Sequence, residues 1–122
     1  MKEIKSVNAR FFKGSERYNN LEPCWFADVT NSDNYTVTIS EGESRERGSA
    51  IDLGYRFSEG YGTLECRTFL LSLTLANATD KDKNKREYAK QCISEWHDTG
   101  LEIWRAAQEA IAAAKISTTT DN

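Results

Sequence analysis

Apolar and polar residues alternate with period two along much of the first two-thirds of the chain, and with a helical period along the last third. Val7, Ala9 and Phe11 alternate with Asn8, Arg10 and Phe12, which predicts a first strand from about residue 3 to 12. Lys13 to Glu22 is polar and rich in breakers, a loop by composition. Pro23 can open a strand but not sit inside one, and behind it Trp25, Ala27 and Val29 predict a second strand. The run Thr30-Asn31-Ser32-Asp33-Asn34 predicts a turn, because Asn and Asp side chains bond their own backbone and tolerate left-handed geometry. Tyr35, Val37 and Ile39 alternate cleanly with Thr36, Thr38 and Ser40, so the second and third strands should form a hairpin.

After the charged loop Glu41–Gly48, Ile51, Leu53, Tyr55 and Phe57 alternate with Ala50, Asp52, Gly54 and Arg56 and read as a fourth strand. Ser58 to Gly62 is a short glycine-bearing connection. From Thr63 to Ala76 a fifth strand is expected, because Leu71-Ser72-Leu73-Thr74-Leu75 alternates and a helical apolar face is less evident.

Residues 80–115 behave differently. They contain no Pro, one Gly and many good helix formers. Ala89, Ile93, Trp96, Gly100, Ile103, Ala107, Ala110 and Ala114 recur at alternating four- and three-residue spacing, one stripe on one side of a helix. Thr79 or Asp80 is the expected N-cap. Thr99-Gly100-Leu101-Glu102 has the form of an internal capping box, so two segments, about 80–98 and 99–115, kinked or folded back, are favoured over one continuous helix. The expected fold is α+β: an antiparallel meander of about five strands over residues 3–76, with a long or kinked C-terminal helix, or a helical hairpin, packed on one sheet face. Residues 1–116 read as a single domain and 117–122 as a disordered tail. The expected core face is Tyr35, Val37, Ile39, Ile51, Leu53, Tyr55, Phe57, Phe69, Leu71 and Leu73, with Trp96, Ile103 and Trp104 pressed onto it.

Composition narrows the function classes. Of the 122 residues 39% are apolar and 29% charged, an ordinary water-exposed globular balance, and the net charge of −3 speaks against a dedicated nucleic-acid binder. No apolar signal-peptide core or membrane span is evident. Three cysteines, Cys24, Cys66 and Cys92, are odd in number and widely spaced; buried thiols in a reducing cytoplasm are expected rather than a disulfide frame.

Chemistry-bearing residues are sparse. The single histidine, His97, sits among Glu95, Trp96 and Asp98, poor spacing for a metal site because helix neighbours point in different directions. Cys66 and His97 are the weak nominees for any catalytic role, and no nucleophile–base pair is suggested. Gly54, Gly60 and Gly62 lack the order of a phosphate-cradling loop. The more suggestive set is Arg10, Arg56 and Arg67 with Trp25, Tyr18 and Tyr61 in or near loops. Arginine forks grip phosphate or carboxylate and aromatic faces stack on rings, but the same arginines could simply pair with Asp28, Asp52 and Glu65. The small-residue stripe Trp96, Ile103, Ala107, Ala110 and Ala114 would suit helix–helix contact between copies. One unbroken helix here would be about 54 Å long, more than one side of so small a domain buries.

These features point to a small cytoplasmic, non-enzymatic binding protein, oligomeric, acting on another macromolecule through its sheet face or charged loops. Accessory and inhibitor proteins of mobile genetic elements are built at this scale, a class-level analogy. No cofactor or metal is implied, and a protein is the expected partner. The alternative is a binder of a phosphate-bearing small molecule such as a nucleotide, held by Arg10, Trp25, Arg56, Tyr61 and Arg67.

Overall fold

The computed structural model describes residues 3–13, 23–42, 47–59 and 63–120. They form α+β structure: strands β1 (Ile4–Phe12), β2 (Cys24–Asn31) and β3 (Thr36–Ser40), then helices α1 (Arg47–Glu59), α2 (Leu64–Asn77) and α3 (Lys83–Thr120). The three strands make one antiparallel sheet in the order β1-β2-β3. The chain divides into two compact units, one built from α1, α2 and α3 as far as Glu102, the other from the sheet and α3 from Ile103 onward.

In the sheet unit the alternation reads true. Ala9 and Ile39 both pair with Ala27, and Val7 and Val37 with Val29, which puts one apolar face on all three strands. Ala27, Val29, Val37 and Ile39 are buried, as are Ile103, Ala107 and Ile111 of α3. The hairpin turn is organised by Asn31. Its buried side-chain oxygen accepts from the backbone N–H of Asp33 and of Tyr35, both at 2.9 Å, while Asn34 takes a positive φ of 67°. Gln108 of α3 fastens the far end of β3. Its Nε2 donates to the Ser40 carbonyl at 2.9 Å and its Oε1 accepts from the Gly42 N–H at 3.0 Å. Beside it Lys115 pairs with Glu41.

The expected fourth and fifth strands are helices. In α1 the burial runs Ala50, Leu53, Gly54, Phe57 and Ile51, Tyr55, the three- and four-residue spacings of a helix buried on most of its circumference. Such a helix contains period-two subsets by accident, and 51, 53, 55, 57 is one of them. All four are buried as expected, in a different element. In α2 the alternating leucines do not mark one buried face: Leu71 is half-buried, Leu73 and Leu75 are each 46% exposed, and no residue of the helix is fully buried. Leucine and alanine favour helix, and fourteen residues exceed a typical strand. Thr63 caps α2, its hydroxyl accepting from the Cys66 N–H at 3.2 Å.

The expected break in the C-terminal helix is absent: α3 is one continuous helix of 38 residues, about 57 Å long. Its N-cap is Asp82, not Thr79 or Asp80, with Oδ1 accepting from Asn84 N at 2.9 Å and from Lys85 N at 3.4 Å. Thr99, expected to cap a second segment, lies buried in mid-helix with its hydroxyl unpartnered.

Gly100 has a different role from the one its residue type suggests. A Cβ built on it would stand 2.9 Å from the Ala50 Cα, and one on Gly54 would stand 2.7 Å from the Trp96 Cα. Both would strike the backbone carbonyl of the facing residue harder still. Since 50 pairs with 100 and 54 with 96, α1 and α3 run antiparallel with their backbones in direct contact. Trp96 then packs not on strands but edge-to-face on Tyr55, ring centroids 4.9 Å apart at 85°, with Ile51 completing the cluster.

Two substitutions test the anchors of the sheet unit. Asn31→Ala leaves two backbone donors without their acceptor and should cost about 2 kcal/mol; Gln108→Ala should cost about 1–2 kcal/mol. Urea unfolding measures both, and Asn31→Asp, which keeps the acceptor for Asp33 and Tyr35, should recover most of the stability lost in Asn31→Ala.

Candidate functional site

The arginines nominated from the sequence fall into two groups. Arg10 lies on the sheet face opposite the apolar one, where its Nε donates to Asp28 Oδ2 at 2.8 Å and its guanidinium sits 5.5 Å from the Phe26 ring centroid. Thr38 Oγ1 donates to the other carboxylate oxygen at 2.6 Å, so one acid ties all three strands together. The Arg10 hydrogen bond, helped by that from Thr38, holds the Asp28 carboxyl below its usual range and the Arg10 guanidinium above its own. Trp25 is half-buried on the opposite face, paired with Phe11 at a ring distance of 5.4 Å.

Arg56 and Arg67 were expected on a sheet face but sit on α1 and α2. Both converge on Asp52, each with its Nε 3.4 Å from a carboxylate oxygen. Tyr18 and Tyr61 lie outside the described residues. Of the stripe nominated for helix–helix contact between copies, Trp96, Ile103 and Ala107 are buried by the chain itself, and Ala110 and Ala114 are half-buried. All three cysteines are free; Cys66 is exposed rather than buried, and Cys24 and Cys92 are intermediate. Among the described residues no group of three or more His, Cys, Asp or Glu gathers to hold a metal ion, and no helix is long and apolar enough to cross a membrane.

Sequence reasoning missed the outer face of α2. Leu64 and Phe69 are each 64% exposed, Leu70 is 40% exposed and Leu73 46%, and Cys66 and Ala76 are open as well. At 66, 69, 70, 73 and 76 these residues lie along one side of the helix at the i, i+3, i+4, i+7 spacing of a docking face. The only charges on α2 are Glu65 and Arg67, and Arg67 is turned to Asp52, so the stripe from residue 68 onward is uncharged. The same positions were visible in the sequence, but a strand reading split them between two faces.

The inner side of α2 is thinly packed. Leu71 reaches the Ile51–Tyr55–Trp96 cluster, and the Arg67–Asp52 pair adds a polar tether. Next to Leu71, a cavity of about 250 Å³ opens between Leu70 and Thr74 of α2 and Tyr88, Cys92 and Trp96 of α3. The Cys92 side chain, hydrogen-bonded to the exposed Tyr88 one turn away, raises the Tyr88 hydroxyl above the usual phenol range.

No protein-family model, curated protein or solved structure matches the chain.

The Asp28 cluster gives a pH prediction. Its folded pKa lies below the unfolded one, so the cluster stabilises the protein above the ordinary carboxylate range, and this contribution is lost as pH falls through the depressed value. The urea midpoint of the wild-type chain should exceed that of Asp28→Asn at about pH 7, and the gap should narrow steadily as pH falls below the ordinary carboxylate value of about 3.9. The effect is small, because Arg10 is largely exposed.

Proposed function

We infer that this is a non-enzymatic binding protein that works by contact with another protein, and that the outer face of α2 makes the contact. The observation that carries this is a helix whose large apolar side chains face solvent while none is fully buried. Large apolar side chains exposed side by side along one helix are the usual mark of an interaction surface. The uncharged stripe offers nothing to a phosphate backbone, so the partner class is protein and not nucleic acid.

Size argues for the kind of partner. A helix of 14 residues is about 21 Å long, so two copies of α2 laid together fall short of the ~800 Å² per side of a standard interface. A partner groove that wraps the helix and receives Phe69, Leu70 and Leu73 as anchors supplies the missing area. Self-association through the same face would be the weaker, concentration-dependent form. Free thiols, one of them exposed on the contact helix, suit a reducing cytoplasm. An inhibitor or accessory role, in which occupying a partner's groove is the whole activity, is the simplest version.

A second reading rests on Arg56 and Arg67. Both meet Asp52 only at 3.4 Å, and Arg56 Nε is buried without a hydrogen bond, so a phosphate-bearing ligand could replace Asp52 as their shared acceptor. In that case a nucleotide panel raises the melting temperature of the wild-type chain and not of Arg56→Ala.

The interaction reading is tested with Phe69→Asp/Leu73→Asp, which alters only exposed positions and should leave the melting temperature within a few degrees of wild type. A partner captured by the wild-type chain, identified and purified, should bind the double variant at least about 100-fold more weakly, the loss expected when two apolar anchors are removed. Arg10→Ala, on the sheet, should bind normally. Undiminished binding by the double variant overturns the assignment of α2.

A further inference from the structure

We propose that the helical unit carries a binding site for a small amphipathic anion, an apolar body with a single acidic head group, in the cavity lined by Lys90, Ser94 and His97. This cavity has a volume of about 520 Å³, within the range of small-molecule sites. Its walls are apolar: Ile51 from α1, Leu75 and Ala78 at the end of α2, and Ile93 from α3. The polar lining is of one character. Lys90, Ser94 and His97 stand four and three residues apart on α3, and so share one side of the helix.

Each of these three can donate a hydrogen bond, and no carboxylate lines the cavity to receive one. Among the described residues Lys90 has no ion-pair partner, although α3 carries acids on either side of it in sequence. The His97 ring also lines the cavity; its Nδ1 is buried and closed off from water, so the ring meets a ligand there through its other edge. An ammonium, a hydroxyl and an imidazole on the rim of an apolar cavity match a carboxylate or phosphate monoester attached to a hydrocarbon body. A fully polar anion would leave the Ile51, Leu75 and Ile93 walls wet, and a neutral lipid would leave the donors unmet. The arginine pair at Asp52 uses none of these residues, so the two sites are chemically separate.

The probes are decanoate, decyl phosphate and decanol, titrated into the full chain by calorimetry with the His97 imidazole followed by NMR. One equivalent of an anionic probe should bind saturably below its micelle concentration, move the His97 ring resonances, and bind about tenfold or more tightly than decanol, the effect of one charge-assisted hydrogen bond. Decanoate against decyl phosphate tells which head group is preferred. Lys90→Ala and His97→Gln should each weaken the anion about tenfold and leave decanol unchanged. Ala78→Phe, which fills the cavity, should abolish both, with helicity checked by circular dichroism. Unsaturable uptake, an unmoved His97 ring, or equal affinity in Lys90→Ala and His97→Gln overturns the proposal; because Lys90 is exposed, its variant remains informative if the others fold poorly.

Discussion

The helical unit depends on the backbone contact between α1 and α3. Gly54 and Gly100 carry no side chain at the two points where the helices meet, so the carbonyls of Trp96 and Ala50 approach more closely than any Cβ would allow. Close approach at two positions one helical turn apart leaves no freedom to slide, which fixes the register of the pair. That register brings Trp96 against Tyr55 and Ile51 and gives the unit a small aromatic core. Gly in a helix interior costs about 1 kcal/mol of helix propensity, and here the lost propensity is offset by contact area that no larger residue permits.

From this follows the unequal standing of the three helices. α1 is buried on most of its surface, and α3 carries the buried positions Ala89, Trp96 and Gly100 in the helical unit and Ile103, Ala107 and Ile111 in the sheet unit. α2 is the remainder, with one half-buried leucine and one arginine directed inward and two cavities along its inner side. A helix so lightly held belongs to the low-stability end of a protein, where binding elements are drawn from. Apolar outside and loosely seated inside, α2 is suited to engage a partner without the rest of the fold having to change.

Much of this was legible in the sequence where one physical signal acted alone. The sheet could be read because a half-buried antiparallel sheet alternates cleanly, and because Asn31 and Asn34 mark the turn. The apolar stripe of α3 could be read because it stays in helical phase throughout. Signals in conflict misled. Gly100 and the Thr99–Glu102 box look like a break, yet the in-phase stripe through residue 100 was the better guide, since a small residue on a buried stripe is also what a close helix contact requires. In α1, burial on several sides produced an accidental alternation. In α2, leucines at 71, 73 and 75 alternate because burial and exposure both fall on leucine, so periodicity no longer reports the core. The exposed face of α2 was hidden for the same reason, and the cavity beside His97 depends on residues from three helices that no local pattern links.

The most direct measurement of the α1–α3 contact is the unfolding free energy of Gly100→Ala. On a helix free of that contact, alanine should stabilise the chain by up to about 1 kcal/mol through propensity alone. With the Ala50 carbonyl where the added methyl must go, the account predicts the opposite sign, a loss of more than about 2 kcal/mol by urea denaturation. A neutral or stabilised Gly100→Ala would mean that the two backbones do not meet there, and the register that organises the helical unit would have to be abandoned.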